Sequence, residues 1–183
     1  MIKKIVLIGP ESTGKSVLGE QLATHYGTLC CPEYARGYLL TNGIKYNYDD
    51  LLDIAKGQLA LEDDYTARLN AQANTTGSAL PLFIDTDMYV MKVWCEYLFG
   101  KCHRFILDQI IQRKYDLYLL CRNDLPWTED PLREYPAPEK RAQLFLHYKD
   151  ILMNQQVPWT GISGNFENRL DQAIHAVDKL LVE

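Results

Sequence analysis

The five cysteines of this chain, Cys30, Cys31, Cys95, Cys102 and Cys121, form no Cys-X-X-Cys pair, and their number is odd. That argues against a disulfide framework and against a zinc site of ordinary ligand spacing, so a reduced, cytoplasmic protein is expected. Long apolar runs are also missing. Nothing approaches the ~20 residues of a membrane span, and the apolar part of "MIKKIVLIGP" is only about five residues, too short for a signal-peptide core. No long basic stretch occurs and the net charge is −5, which disfavours duplex nucleic acid or an anionic membrane as partner. Repeats, low-complexity tracts and linkers are absent. The histidines (His25, His103, His147, His175) show no metal-ligand spacing and are assigned no role.

What is present is a chain of 183 residues, 47% hydrophobic, enough for one core and a single domain over residues 1–183. Short apolar runs alternate with amphipathic segments. "KIVLI", "TLCCPEYAR", "LPLFID", "YDLYLLC" and "VPWTGIS" read as five strands. Helices are read in "KSVLGEQLATHYG", "YDDLLDIAKGQLALEDDYTARLNAQ" (with Asp49 or Asp50 near its start), "DMYVMKVWCEYLFG", "HRFILDQIIQRK", "EKRAQLFLHYKDILMNQ" and "ENRLDQAIHAVDKLLVE". "NTTGSA" is read as a turn and "RNDLPWTEDPLREYPAP" as a connector. The alternation predicts an α/β fold: a five-stranded parallel sheet with helices on both faces, in a three-layer α/β/α arrangement.

Gly9, Pro10, Glu11, Ser12, Thr13, Gly14, Lys15 and Ser16 match GxxxxGK[ST] between the first strand and the first helix. The glycines let backbone N–H groups turn inward onto phosphate, and the helix N-terminus adds its dipole. Lys15 reaches the β- and γ-phosphates, Ser16 offers its hydroxyl to Mg²⁺, and Val17 follows in the same wall. The bound nucleotide is expected to be ATP. The late segment "LCRNDLPW" places Asn123 beside Asp124 without the lysine and spacing of a guanine reader.

Four further clusters are expected at the carboxyl edge of the sheet, where ligands bind in such folds. Asp85, ending the third strand, is a candidate metal ligand or base; Asp87 could share that role or simply cap a helix. Glu33, Tyr34 and Arg36 suit ribose hydroxyls, a stacked ring and phosphate or carboxyl oxygens. In the connector, a lid at about 122–136, Arg133 is the candidate to close on the transferring phosphate, with Arg122 and Arg141 behind it, and Trp127 packs either the lid or a substrate ring. After the fifth strand, Asn165, Phe166 and Arg169 could touch adenine, or Asn165 could cap a helix.

"GPESTGKS", "PEYARGY", "FIDTD" and "DLPWTEDPLRE", in this order, resemble the NadR-type ribosylnicotinamide kinase domain and its stand-alone relatives, over nearly the whole chain. The resemblance implies a P-loop kinase of the nucleoside/nucleotide-kinase type that transfers phosphate from ATP to the 5′-hydroxyl of nicotinamide riboside. Carried across, Lys15 and Ser16 bind ATP and Mg²⁺, Asp85 or Asp87 is base or metal ligand, and Glu33, Tyr34, Arg36 and Trp127, with Asp130 of the connector, shape the riboside site. The chain departs from the pattern at Pro131, where glycine is expected, and it lacks an HxGH-type nucleotidyl-transfer motif. Kinases of other nucleosides or hydroxylated metabolites, and a regulatory ATP-binding protein with slow ATPase activity, are the competing readings. Glu11, a carboxylate in an anion-binding loop, is expected to face the acceptor's hydroxyls or cationic ring. The sequence leaves oligomeric state open.

Overall fold

The computed structural model describes residues 2–76 and 80–182. Its sheet runs β2 (Leu29–Cys31), β3 (Leu80–Asp85), β1 (Ile2–Ile8), β4 (Leu117–Cys121) and β5 (Trp159–Ile162) in spatial order, every neighbouring pair parallel. The expected α/β class and five-stranded parallel sheet are therefore observed.

Alternation along the strands sorts side chains to two faces. Ile5 and Leu7 of β1, with Phe83, Leu117 and Leu119, pack under α1 (Lys15–Tyr26) and α7 (Phe166–Val182). Val6 and Ile8, with Leu82, Ile84 and Leu120, meet Val90 and Val93 of α4 (Met88–Phe99) and Leu144 and Tyr148 of α6 (Pro138–Met153). Both faces are covered, which is why the strands read as continuous apolar runs rather than as an alternation. A second helical layer buries Ala35 and Leu39 of α2 (Tyr34–Asn42) and Leu51 and Ile54 of α3 (Tyr48–Thr76) against Met91 of α4 and Ile106 of α5 (Arg104–Gln112).

One local expectation changes. The run "TLCCPEYAR" is not one strand: β2 ends at Cys31, and Tyr34 opens α2, because Pro32 cannot donate to a sheet ladder. The long helix carries Asp49 and Asp50 in its first turn as expected, and it is capped by Asn47, whose Oδ1 accepts from their N–H groups at 2.8 and 3.3 Å. Of the "NTTGSA" turn, residues 74–76 close α3 and residues 77–79 lie outside the described residues.

Candidate active site

The register sets the site. Leu7 pairs with Asp85, so the chain leaves β1 into the Gly9–Gly14 loop directly beside the acid that ends β3. No strand intervenes between them. A Cβ at Gly9 would lie 2.5 Å from the carbonyl oxygen of Cys121, so only glycine lets the loop leave the sheet this close to β4. The loop ends in left-handed Gly14, and α1 begins with neither a side-chain cap nor an acid in its first turn. Its N–H groups are thus kept for an external anion. Lys15 Nζ donates to Pro10 O at 2.8 Å, and Ser16 Oγ donates to Asp85 Oδ2 at 2.5 Å.

Asp85 is only 2% exposed, and its second oxygen, Oδ1, has no hydrogen-bond partner among the described residues. Burial raises its pKa, opposed by Lys15 and the Ser16 hydroxyl. A buried carboxylate with one oxygen on a serine and one unpartnered has the donor set for a hard cation. Among the described residues no cluster of three or more His, Cys, Asp or Glu could hold a metal, so such a cation would take its remaining ligands from phosphate and water. Thr86 follows with φ 82, a left-handed conformation that is costly for a β-branched residue.

A cavity of about 680 Å³ opens in front of this edge, lined by the loop, by Glu33 and Arg36, by Asp85 and Thr86, by residues 130–135 and by α4 and α6. Glu33 presents its carboxylate to this space and accepts no hydrogen bond among the described residues. Burial, then the charge of Asp85, pushes it up to about 7, against the pull of Lys15 and Arg36. The far wall is aromatic: Tyr46, Trp94, Tyr97, Tyr135 and Tyr148.

The connector closes over the cavity and is held by the loop beneath it. Glu11 accepts the backbone N–H of Glu134 at 3.0 Å and that of Tyr135, and Ser12 Oγ accepts the N–H of Thr128 at 3.1 Å. Arg36 Nη2 donates to Asp130 Oδ2 at 2.8 Å, joining α2 to the connector. Arg133 lines the cavity, donates to Thr128 O at 2.5 Å and lies 5.9 Å from the Trp127 ring centre. Arg141 lies 5.3 Å from the same ring and is 5% exposed, with Nε and Nη1 unpartnered among the described residues.

Several expected site residues are elsewhere engaged. Asp87 caps α4 through Tyr89 N and Val90 N at 3.0 and 3.2 Å and accepts from Tyr118 Oη at 2.9 Å; it does not line the cavity. The Tyr34 ring packs on α3 at Gly57 instead of facing a ligand. Trp127 packs between Arg133 of the connector and Arg141 of α6 and is likewise outside the cavity lining. Asn165 accepts from Asn168 N at 2.9 Å, a helix-start contact of α7. Arg169, 2% exposed, donates to Gly164 O, Thr13 O and Arg122 O and pairs with Asp124, so its guanidinium staples the phosphate loop to the ends of β4 and β5 and cannot read a base. Glu11 lines the cavity while its carboxylate oxygens accept the connector N–H groups of Glu134 and Tyr135. Phe166, half-exposed, does stand beside Gly14. Thr86 and the aromatic wall escape a motif reading; the recurrence of Val90, Val93, Trp94 and Tyr97 at helical spacing is the available signal for that wall.

A family described as an AAA domain matches residues 4–169. The chain is 25% identical to the "Trifunctional NAD biosynthesis/regulator protein NadR" of Escherichia coli (strain K12) and to its Salmonella typhimurium counterpart, over 100% of this chain and 43% of each relative. It thus spans less than half the length of those proteins. Among solved structures, a NadR protein in complex with NR aligns with TM-score 0.70 at 21% identity, over 99% of this chain and 50% of that one. Thymidylate kinase from Candida albicans aligns with TM-score 0.62 at 16% identity, over 98% and 91% of the two chains. At these identities the structures speak to the fold, which is that of P-loop kinases.

Proposed function

The chain belongs to this AAA-domain family, and we propose that it is an ATP-dependent kinase that phosphorylates the 5′-hydroxyl of nicotinamide riboside to give nicotinamide mononucleotide. One observation carries the reading: Glu33, a carboxylate without a hydrogen-bond partner among the described residues, shares a cavity with Lys15 of the phosphate loop and with an aromatic chamber lined also by acids. A donor half and an acceptor half therefore meet at one carboxylate. The acids Glu11, Glu33, Asp130 and Glu134 around aromatic rings suit a cationic ring bearing a ribose. The relatives named for NAD biosynthesis, and the NR-bound structure, agree with this acceptor.

In the reaction, O5′ of the riboside forms a bond to the γ-phosphorus as the bond to the β,γ-bridging oxygen breaks, and ADP leaves. The O5′ proton passes to Glu33, whose pKa near 7 suits a base at neutral pH. That assignment moves the base from the strand-three acids to the end of β2. The N–H groups of the phosphate loop and Lys15 hold the phosphate chain. Ser16 and Asp85 would hold Mg²⁺, which supplies charge neutralisation on the β- and γ-phosphates. Arg133, steadied on Trp127, meets the charge that develops on the transferring group, and residues 122–136, acting as lid, exclude water. Phe166 flanks the nucleotide base. Residues 1–183 work as one kinase domain, and a reducing cytoplasm suits the five unpaired thiols.

The test is ADP release from ATP with nicotinamide riboside, a set of ribo- and deoxynucleosides, and no acceptor. Riboside-dependent ADP with formation of the 5′-monophosphate is expected. Turnover of deoxynucleosides alone would replace the acceptor; ATP hydrolysis indifferent to every acceptor would replace the activity.

A further inference from the structure

The free state of Glu33 needs a physical cause. It stands at the N-cap position of α2, where a polar side chain ordinarily turns back onto the helix's first N–H groups. It does not: no side-chain cap bond forms. The first N–H of the helix, that of Tyr34, instead donates to Gln58 Oε1 at 2.7 Å, from the neighbouring helix α3. The same amide donates through Nε2 to Pro32 O at 3.3 Å and to Asp85 O at 3.5 Å. One side chain thus holds the main chain on both sides of Glu33 and touches the strand end that carries Asp85.

We propose that Gln58 is a positioning residue, capping α2 in place of Glu33 and so leaving the Glu33 carboxylate free to face the acceptor. The proposal rests on the reading of Glu33 as the base. Gln58 is 1% exposed and outside the cavity lining, so it acts through Glu33 and touches no ligand. The task needs a donor and an acceptor on one short group, which an amide has and a carboxylate, ammonium or apolar side chain lacks. The orientation of the amide is fixed by its partners, an N–H on one side and carbonyls on the other. Gly57 completes the bracket: a Cβ there would lie 2.1 Å from the Tyr34 ring, so the residue after Glu33 is seated directly on the α3 backbone. Charges that face Glu33 come from Asp85 of β3, Lys15 of α1, Arg36 of α2 and Glu11 of the phosphate loop, and Tyr148 of α6 is also near. None of them hydrogen-bonds it, so its placement comes from its backbone.

The experiment compares Gln58→Met and Gln58→Glu with the wild type in the full chain, using ATP and nicotinamide riboside, and follows exchange of the Tyr34 amide by NMR. For Gln58→Met the expected result is a 10- to 100-fold fall in kcat, KM for ATP within twofold, and Tyr34 amide exchange at least tenfold faster. Gln58→Glu keeps the acceptor for Tyr34 and loses the amide's donor, so a smaller fall in kcat with the Tyr34 amide still protected is expected; it carries the test if the methionine variant does not fold. Wild-type kcat with an accelerated Tyr34 amide, or a fall in kcat matched by an equal rise in KM for ATP, would overturn the proposal. Glu33→Gln, measured alongside, separates the two readings. If it retains full kcat, the base assignment fails and the bracket has no object; if it is inactive while both Gln58 variants turn over normally, only the bracket fails.

Discussion

Glu11 of the phosphate loop accepts the backbone N–H of Glu134, at 3.0 Å, across 123 residues of chain. The loop proposed to grip the nucleotide therefore also holds the connector proposed as its lid. Burial raises the pKa of Glu11, and the two lid N–H groups pull it back, so the contact favours the ionised form. Glu11→Ala is expected to release residues 122–136, increasing their cleavage by limited proteolysis and lowering kcat by about 10- to 100-fold through loss of lid closure. Proteolysis and kcat both unchanged would show that Arg36–Asp130 and Ser12–Thr128 suffice to hold the lid.

With Glu33 as the proposed base, the pH dependence of the reaction follows from its carboxylate. A base held at about 7 acts only when ionised, so kcat/KM should rise with pH and level off above about 7, falling about tenfold per unit below it. Glu33→Gln should lower kcat by about 10²- to 10⁴-fold, the usual worth of a general base, and remove that limb of the profile. A flat profile in the wild type between pH 5.5 and 8 would contradict the assignment.

The two aspartates that flank Thr86 are told apart by substitution. Asp85→Asn should abolish turnover, because the carboxylate beside Ser16 is lost. Asp87→Asn should keep kcat within twofold, because asparagine also caps helices. Stability supplies a second readout. Burial pushes Asp87 up to about 7 from an ordinary 3.8, so the folded state binds its proton more tightly than the unfolded chain. Stability from this group is greatest below the unfolded value and is lost as pH rises through that window, by up to ~1.4 kcal/mol per unit. Urea unfolding at a series of pH values should show this slope in the wild type and its flattening in Asp87→Asn.

How much of this was legible in the sequence differs by element. The phosphate loop was, because each of its fixed residues answers a backbone demand that recurs wherever phosphate is held: Gly9 passes Cys121 O where no Cβ fits. Asp85 was also legible, since a strand next to β1 must end beside the loop. Asp87 was not separable from it, because two acids two residues apart part company only when Thr86 turns left-handed. Glu33 was placed at the site, but its freedom from hydrogen bonds was not legible, since the N–H it would ordinarily cap is taken by Gln58, 25 residues away on another helix. Arg169 looked like a ligand contact because sequence cannot tell an exposed guanidinium from one spent on carbonyl groups.

Arg169 gives the sharpest stability test. Its guanidinium meets three carbonyl groups and Asp124 while 2% exposed. Arg169→Ala would leave Thr13 O without this partner in a buried place and Gly164 O, Arg122 O and Asp124 in partly exposed ones, with an expected cost of about 2–3 kcal/mol, read as a lower urea midpoint. Because Thr13 O is among the partners, KM for ATP should rise as well. If Arg169 contacted adenine instead, nucleotide affinity would fall with the urea midpoint unchanged.

The aromatic wall of the cavity is joined to the connector through Trp94. Its Nε1 donates to Tyr46 Oη at 2.9 Å, and that hydroxyl donates to Glu134 at 2.8 Å. The two rings meet edge-on with centroids 5.1 Å apart. Under the proposed function, a ligand ring against this pair would be linked through Tyr46 to Glu134, whose own N–H is held by Glu11. Trp94→Phe retains an aromatic surface and removes the donor; Trp94→Ala removes both. With aromatic contacts worth about 0.5–1.5 kcal/mol beyond burial, KM for nicotinamide riboside should rise about threefold in the first and more than tenfold in the second, while KM for ATP stays within twofold. Equal rises for both substrates would mean that Trp94 supports α4 as a whole, and the acceptor ring would then have to rest on Tyr97, Tyr135 or Tyr148 instead.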